Sequence, residues 1–285
     1  MEGSESANCD VSVLLPVCDG DVPDYLWKAL FSVWEDQKTP ATQLVVVRDG
    51  PVNPTLGAVL SNAQQRLGAS MTLVELDQNV GLGAALNAGL EQCKCKYVAR
   101  MDADDISFPD RFERQIAFLE ESPDVDVVGS SAIEIDESGV EGVVRRVPGD
   151  HAAIFDSLWA CPMIHPSVMF RRYRLIEVGG YNPTLRRRQD YELWFRAAEQ
   201  GLRFANIRDP LLLYRFHRRA HKKQSPSLAW EQAMIGYRGS SRLGLARWKR
   251  FGCFVPFLRS VMPLWAQHIA YRALAPFDPR RRSPS

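Results

Sequence analysis

The sequence holds no uninterrupted apolar run of the roughly 18 residues that a spanning helix needs. Its opening, "MEGSESANCD", is polar and acidic, unlike the apolar stretch of a secretory leader. Both absences lead to the expectation of a cytoplasmic protein. Zinc-like cysteine spacing is missing too. Cys93 and Cys95 are separated by one residue while Cys9, Cys18, Cys161 and Cys253 stand alone, which reads as reduced structural thiols. A dinucleotide fingerprint is incomplete: Gly81-Leu82-Gly83 supplies two glycines, but Leu86 stands where the third should fall, which argues against a Rossmann dehydrogenase. There is no internal repeat, and no nucleic-acid-binding motif to imply a nucleic-acid partner.

Acids are scarce in one part of the chain. Residues 171–285 hold 7 Asp and Glu against 24 Lys and Arg, whereas residues 1–170 hold 27 against 11. Opposed halves of this kind suit a cation site in the first and anion contacts in the second, or mutual neutralisation across an interface.

What is present is alternation. "VSVLLPV", "QLVVVRDG", "MTLVELD" and "KYVARMDADD" read as buried strands, with "DYLWKALFSVWEDQ", "NPTLGAVLSNAQQRLG" and "GLGAALNAGLEQC" as the helices between them. That pattern predicts an α/β fold with a doubly wound, mostly parallel sheet whose ligands bind outside the carboxyl ends of its strands, where Asp49 and Asp102 fall. After "FPDRFERQIAFLEESPD" and "VDVVGSSAIEID" the alternation breaks down into a less regular second lobe, and from about Ser225 the chain reads as helices interrupted by Pro256 and Pro263.

Asp102, Asp104, Asp105 and Asp110 crowd the end of the fourth strand, which repels like charge unless a cation neutralises it. Two residues apart on an extended backbone, Asp102 and Asp104 point the same way and Asp105 the opposite way. Such a pair suits a hard divalent cation, Mn2+ or Mg2+. A calcium EF-hand loop fails where Ile106 and Ser107 replace an oxygen ligand and the turn glycine. The alternative is an Asp-rich turn, with Asp110 capping the next helix.

Seven blocks, from "VSVLLPVCDGDVPDYLWKALFSVWEDQ" through "LVVVRDGP", "NVGLGAALNAGL", "ARMDADDISFPDRFERQIAFLEESPDVDVVG", "HPSVMFRR" and "GGYNPTLRRRQDYELWFRAAEQG" to "LLLYRFH", occur in the order of the inverting family 2 glycosyltransferases. The chain resembles the bacterial surface-polysaccharide members over residues 10 to about 225. The resemblance implies a nucleotide-diphosphosugar transferase (GT-A) fold, a divalent cation and single displacement at the anomeric carbon. It implies a nucleotide-diphosphosugar donor, by family prevalence a UDP-hexose or UDP-N-acetylhexosamine, and a glycan or lipid-linked glycan acceptor.

Carried onto these residues, the resemblance places Pro16 and Val17 beside the nucleobase, Asp49 on its imide, and Asn79 and Gly81 along the nucleoside. Arg48 and Pro51 depart from the family pattern beside Asp49. The Asp-x-Asp motif falls on Asp102, near the ribose and metal, and on Asp104, on the metal. Asp190 matches the catalytic base, against the alternative of a helix N-cap. Trp194, one helical turn on, reads as core or acceptor-pocket wall. His217 is implied as a further metal ligand or phosphate donor, against an exposed histidine in a basic loop; His165 as lining the acceptor site, against a hydrogen-bonded structural role. The stretch 238–285, with ten Lys and Arg and one acid interleaved with aromatics, suits an anionic membrane surface or packing on the acidic first lobe. The expected division is a nucleotide-sugar lobe (10–107), an acceptor and catalytic-base lobe (108–224) and a basic helical extension (225–285), with a non-catalytic relative as the rival reading.

Overall fold

The computed structural model describes residues 10–216 and 225–262. The first four strands are β1 (Val11–Val17), β2 (Gln43–Arg48), β3 (Met71–Glu75) and β4 (Tyr97–Arg100), parallel throughout in the order β3-β2-β1-β4. Their apolar runs are continuous because both faces are covered. Val13, Leu15 and Val17 join one core cluster with α1 (Pro23–Trp34), α2 (Pro54–Leu67) and α4 (Arg111–Glu121). Leu14, Val45 and Val47 join the other, with α3 (Leu82–Gln92) and later helices. Proline opens α1 and α2, where its missing N–H costs nothing, and the Asn53 side chain accepts from Leu56 N–H at 3.0 Å. Gly89 lets α3 lie close to the sheet, since a Cβ there would come within 2.4 Å of Leu14 and 2.5 Å of Val47.

β1 has β2 on one side and β4 on the other, so a crevice opens outside their carboxyl ends. Beyond β4 the same sheet runs on through β8 (Met169–Arg171), β6 (Val127–Ile135), β9 (Phe204–Arg215) and β5 (Ile106–Ser107), with β7 (Glu141–Arg145) paired to β6. This half is mixed: β8 is antiparallel to β4 and β6, β5 to β9 and β7 to β6, while β6 and β9 are parallel. The register of β9 slips around Pro210, which has no N–H to give the ladder. The sheet is therefore continuous through the 107/108 boundary.

α5 (His151–Ser157), α6 (Arg172–Glu177) and α7 (Gln189–Glu199) cover the face that α3 covers. The extension forms α8 (Pro226–Arg242), α9 (Arg247–Gly252) and α10 (Val255–Val261). α8 rests on α7 through two glycines, because a Cβ on Gly236 would lie 2.4 Å from the Tyr191 hydroxyl and one on Gly239 2.2 Å from the Phe195 ring. Lys249 pairs with Asp156 of α5. The described part of the extension thus packs on the second lobe, not on the acidic first lobe. Cys18, Cys93, Cys161 and Cys253 are free thiols, whereas Cys95 is disulfide-bonded, a departure from the expectation of reduced cysteines throughout.

Candidate active site

The acid cluster begins where β4 stops. After Arg100 the backbone leaves the sheet and turns at Ala103-Asp104, bringing carboxylate oxygens of Asp102, Asp104 and Asp105 all within 4.8 Å of one another. Alternation along an extended strand put Asp105 on the opposite side. The turn overrides that expectation, because side chains two residues apart share a face only while the backbone stays extended. Asp110 stays outside the group and pairs with Arg114 at 3.6 Å. It holds the N-cap position of α4 without a side-chain capping bond.

Three buried arginines organise the turn. Arg100, 2% exposed, pairs with Asp102. Arg111, fully buried, donates Nη2–H to the Arg100 carbonyl at 2.8 Å, and burial pulls its pKa down to about 9. Arg215, at the end of β9, gives its backbone N–H to Asp105 Oδ1 at 2.7 Å and its Nε–H to the Asp104 carbonyl at 2.8 Å. Its guanidinium lies 4.0 Å from the Tyr25 ring centroid. Asp105 Oδ2 is buried without a partner, and burial, then Asp102 and Asp104, push its carboxyl well above the ordinary range. Asp21, in the β1–α1 loop, is raised to about 6, first by burial, with Asp104 and Asp102 adding to it against the opposing Cys18 N–H. Crowded carboxylates, an all-oxygen donor set and an orphaned buried oxygen fit a hard divalent cation.

The residues expected to hold a nucleoside form a second group at the ends of β1 and β2. Pro16 and Val17 pair with Val47 and Arg48, and the Val17 carbonyl accepts from Asp49 N–H at 2.8 Å. The Asp49 carboxylate ties two loops together, accepting from Val80 N–H at 2.7 Å and Gly81 N–H at 3.1 Å. Asn79 donates to the Asp49 carbonyl at 3.3 Å. Gly50, at φ 87°, makes that approach possible, since a Cβ there would fall 2.6 Å from the Asn79 nitrogen. Arg48, which departs from the family pattern, pairs with Glu75 at 2.7 Å.

Asp190 sits in the first turn of α7 but is not its cap: Arg188 holds that position at φ 63°, without a side-chain capping bond. Burial pushes the Asp190 carboxyl up, opposed by the Tyr191 N–H and by Arg188 and Arg100. A cleft of about 310 Å³ is lined by Asp102, Asp190 and His165 together with Arg100, Arg188 and Gln232 of α8. His165 shares a 2.9 Å hydrogen bond between Nε2 and the Tyr181 hydroxyl, and burial, with Arg100 beside it, holds its pKa well below the ordinary value. Trp194 is fully buried and does not line the cleft; it stacks on Phe170 at 5.9 Å and meets the His165 ring edge-on at 6.0 Å, backing the wall instead of forming it. Asp49, Asn79, Gly81 and Asp104 also stand outside this cleft. His217 lies outside the described residues.

Sequence reading missed Arg100, Arg111, Arg215, Asp21 and Gln232. For Arg100 a signal existed: a cation closing a buried apolar strand two residues before an acid.

The model of the family described as Glycosyl transferase family 2 matches residues 12–194. The amylovoran biosynthesis glycosyltransferase AmsE of Erwinia amylovora is 39% identical over 205 residues, spanning 72% of this chain and 75% of that protein. The Escherichia coli UDP-Gal:alpha-D-GlcNAc-diphosphoundecaprenol beta-1,3-galactosyltransferase is 33% identical over 215 residues, 75% of this chain and 76% of that one. The structure of S. aureus TarS 1-349 in complex with UDP-GlcNAc superposes with a TM-score of 0.65 at 20% identity, covering 94% of this chain and 80% of that one, which shows a shared fold. The expected GT-A architecture is met.

Proposed function

This chain belongs to glycosyl transferase family 2 and is a glycosyltransferase, and from that premise we propose that it transfers a hexose or N-acetylhexosamine from a UDP-linked donor to a hydroxyl of a glycan or lipid-linked glycan, with inversion. One observation carries the reading: a single cleft holds Asp102, from the acid cluster, and Asp190, a carboxylate made more basic by burial. The name of the E. coli relative and the TarS complex, both with UDP-sugars, support a UDP donor.

In this reading Asp104 and Asp102 hold Mn2+ or Mg2+, which supplies counter-charge to the donor's diphosphate. Pro16, Val17, Asp49, Asn79 and Gly81 hold the nucleoside. Asp49 spends one lone pair of each oxygen on a backbone N–H and keeps the others for the base. Asp190 accepts the proton of the acceptor hydroxyl as that oxygen attacks the anomeric carbon. The bond to the diphosphate oxygen breaks, and its electron pair leaves with UDP. A general base with a raised pKa stands nearer the working pH and takes the proton with more driving force. His165, held neutral, lines the acceptor side.

No described helix is long and apolar enough to cross a membrane. Trp248 and Phe251, 61% and 66% exposed, stand on α9 beside Arg247 and Arg250, which supports peripheral docking of the extension on an anionic membrane, where each cation is worth about 1 kcal/mol.

Release of UDP from a panel of UDP-sugars with Mn2+ tests the assignment. Turnover of at least one donor is expected; UDP binding with no turnover of any donor, with or without glycan acceptors, would favour the non-catalytic reading.

A further inference from the structure

One ring nitrogen of His165 is engaged and the other is not. Nε2 lies 2.9 Å from the Tyr181 hydroxyl, which has no other hydrogen-bond partner among the described residues. Nδ1 has no partner there at all, and it is not sealed in by burial, so it is the nitrogen left to the cleft that His165 lines. Which nitrogen carries the ring proton decides whether the cleft meets a donor or an acceptor.

Tyr181 decides between the two. It is 1% exposed, and the Asn87 amide of α3 fixes its backbone from both sides, accepting from the Tyr181 N–H at 2.8 Å and donating to the Tyr181 carbonyl at 2.7 Å. Gly180, at φ 61°, permits that approach, since a Cβ there would fall 2.6 Å from Asn87 Oδ1. The imidazole is confined as well: the Tyr181 and Trp194 rings both meet it edge-on, at 5.5 and 6.0 Å. With the ring proton on Nε2, that N–H would donate to the tyrosine oxygen and leave a buried hydroxyl hydrogen without an acceptor, the costly state for a buried polar group. With Nε2 bare, the hydroxyl donates to it and both groups are satisfied. The ring proton then stands on Nδ1. No second proton joins it, because burial and then the charge of Arg100 hold the ring neutral.

We infer that Tyr181 locks His165 in its Nδ1–H tautomer and so makes it a fixed hydrogen-bond donor to an oxygen of the acceptor sugar, beside the hydroxyl that attacks. Tyr181 is then a positioning residue that acts through His165. Asp190 takes the proton of the attacking hydroxyl, and a neutral Nδ1–H offers no lone pair to compete for it. His165 orients the sugar and keeps its own proton throughout. This rests on the glycosyl-transfer reading and adds to it the atom that sets the acceptor's orientation.

NMR reads the tautomer directly, because nitrogen-15 shifts distinguish a protonated from a bare imidazole nitrogen. His165→Asn identifies the His165 signals among those of the five histidines. In the wild type, Nδ1 is expected protonated and Nε2 bare, with no titration between about pH 5 and 8. Tyr181→Phe keeps the ring and removes the hydroxyl, so both tautomers should appear; a thermal melt of the same sample shows that the variant is folded. Wild-type protein saturated with UDP and Mg2+ then receives the methyl glycosides of glucose, galactose and N-acetylglucosamine as acceptor-sugar probes, and at least one should shift the Nδ1 signal. An Nε2–H tautomer in the wild type, or the same tautomer in folded Tyr181→Phe as in wild type, would overturn the lock. A signal that none of the glycosides moves would overturn the donor role and make the pair a packing contact. Failure to bind UDP appears in the saturation step and counts against the glycosyl-transfer reading itself, whereas the tautomer is read with no ligand present.

Discussion

Replacing Asp190 by Asn keeps the side chain's volume and its contacts in the first turn of α7 while removing its basicity and charge. If Asp190 takes the acceptor proton, turnover falls about 10²–10⁴-fold, or about 2.7–5.4 kcal/mol of barrier. Stability moves differently. Burial raises the Asp190 carboxyl, so the folded protein holds that proton more tightly than the unfolded chain does. By linkage the group stabilises the fold below its unfolded pKa, and the contribution is lost as pH rises through the raised folded value. Asn never ionises, so the variant's melting temperature at neutral pH equals or exceeds that of wild type. In the pH profile, wild-type kcat declines as pH falls through the raised value, and the variant loses that limb. The assay is UDP release from the best donor across a pH series, with UDP affinity by calorimetry in Mn2+ and a thermal melt on the same samples. Turnover within a few-fold of wild type together with a lower melting temperature would refute the base assignment and leave Asp190 a scaffold residue.

Asp104→Ala is expected to remove the Mn2+ dependence of UDP binding, because it takes one carboxylate from the cluster of three; calorimetry with and without the ion shows it, and unchanged metal dependence would move the cation elsewhere. Gly239→Ala drives a methyl group into the Phe195 ring and, as overpacking does, should cost about 1–3 kcal/mol, seen as a melting temperature lower by roughly 2–10 °C. If α8 can instead shift freely on α7, the melt will not move. Replacing Trp248 and Phe251 by Ser should reduce cosedimentation with anionic vesicles and leave UDP binding intact; wild-type protein that ignores such vesicles at low salt would end the membrane reading.

The parts legible in the sequence were those governed by short-range pattern. The apolar runs of β1 to β4 are buried on both faces, so they announce themselves, and the acids at the end of β4 stand out against them. Asp190 came from resemblance, since an acid at a helix start looks the same whether it caps or catalyses. Asp105 was misplaced because its direction depends on a two-residue turn that alternation cannot register. The buried arginines were invisible for a different reason: a charged residue reads as exposed until the partners that satisfy it are known. Arg111 finds its partner in the backbone carbonyl of Arg100 at the end of β4, and Arg215 in that of Asp104 in the acid turn, 111 positions away along the chain. The three-residue β8 is too short to show periodicity, yet it joins β4 to the second half of the sheet.

That short strand also sets a length. β4, which delivers Asp102, is hydrogen-bonded to β8; Phe170 of β8 stacks on Trp194; and Trp194 stands on the helix whose first turn carries Asp190. Trp194 therefore stands between the strand pair that carries Asp102 and the helix turn that carries Asp190, so on the proposed mechanism its thickness bears on how far the base stands from the acid cluster. A smaller ring there would alter the span as well as the packing, so a substitution that seems to concern only folding would be read out in the geometry of the transferred sugar.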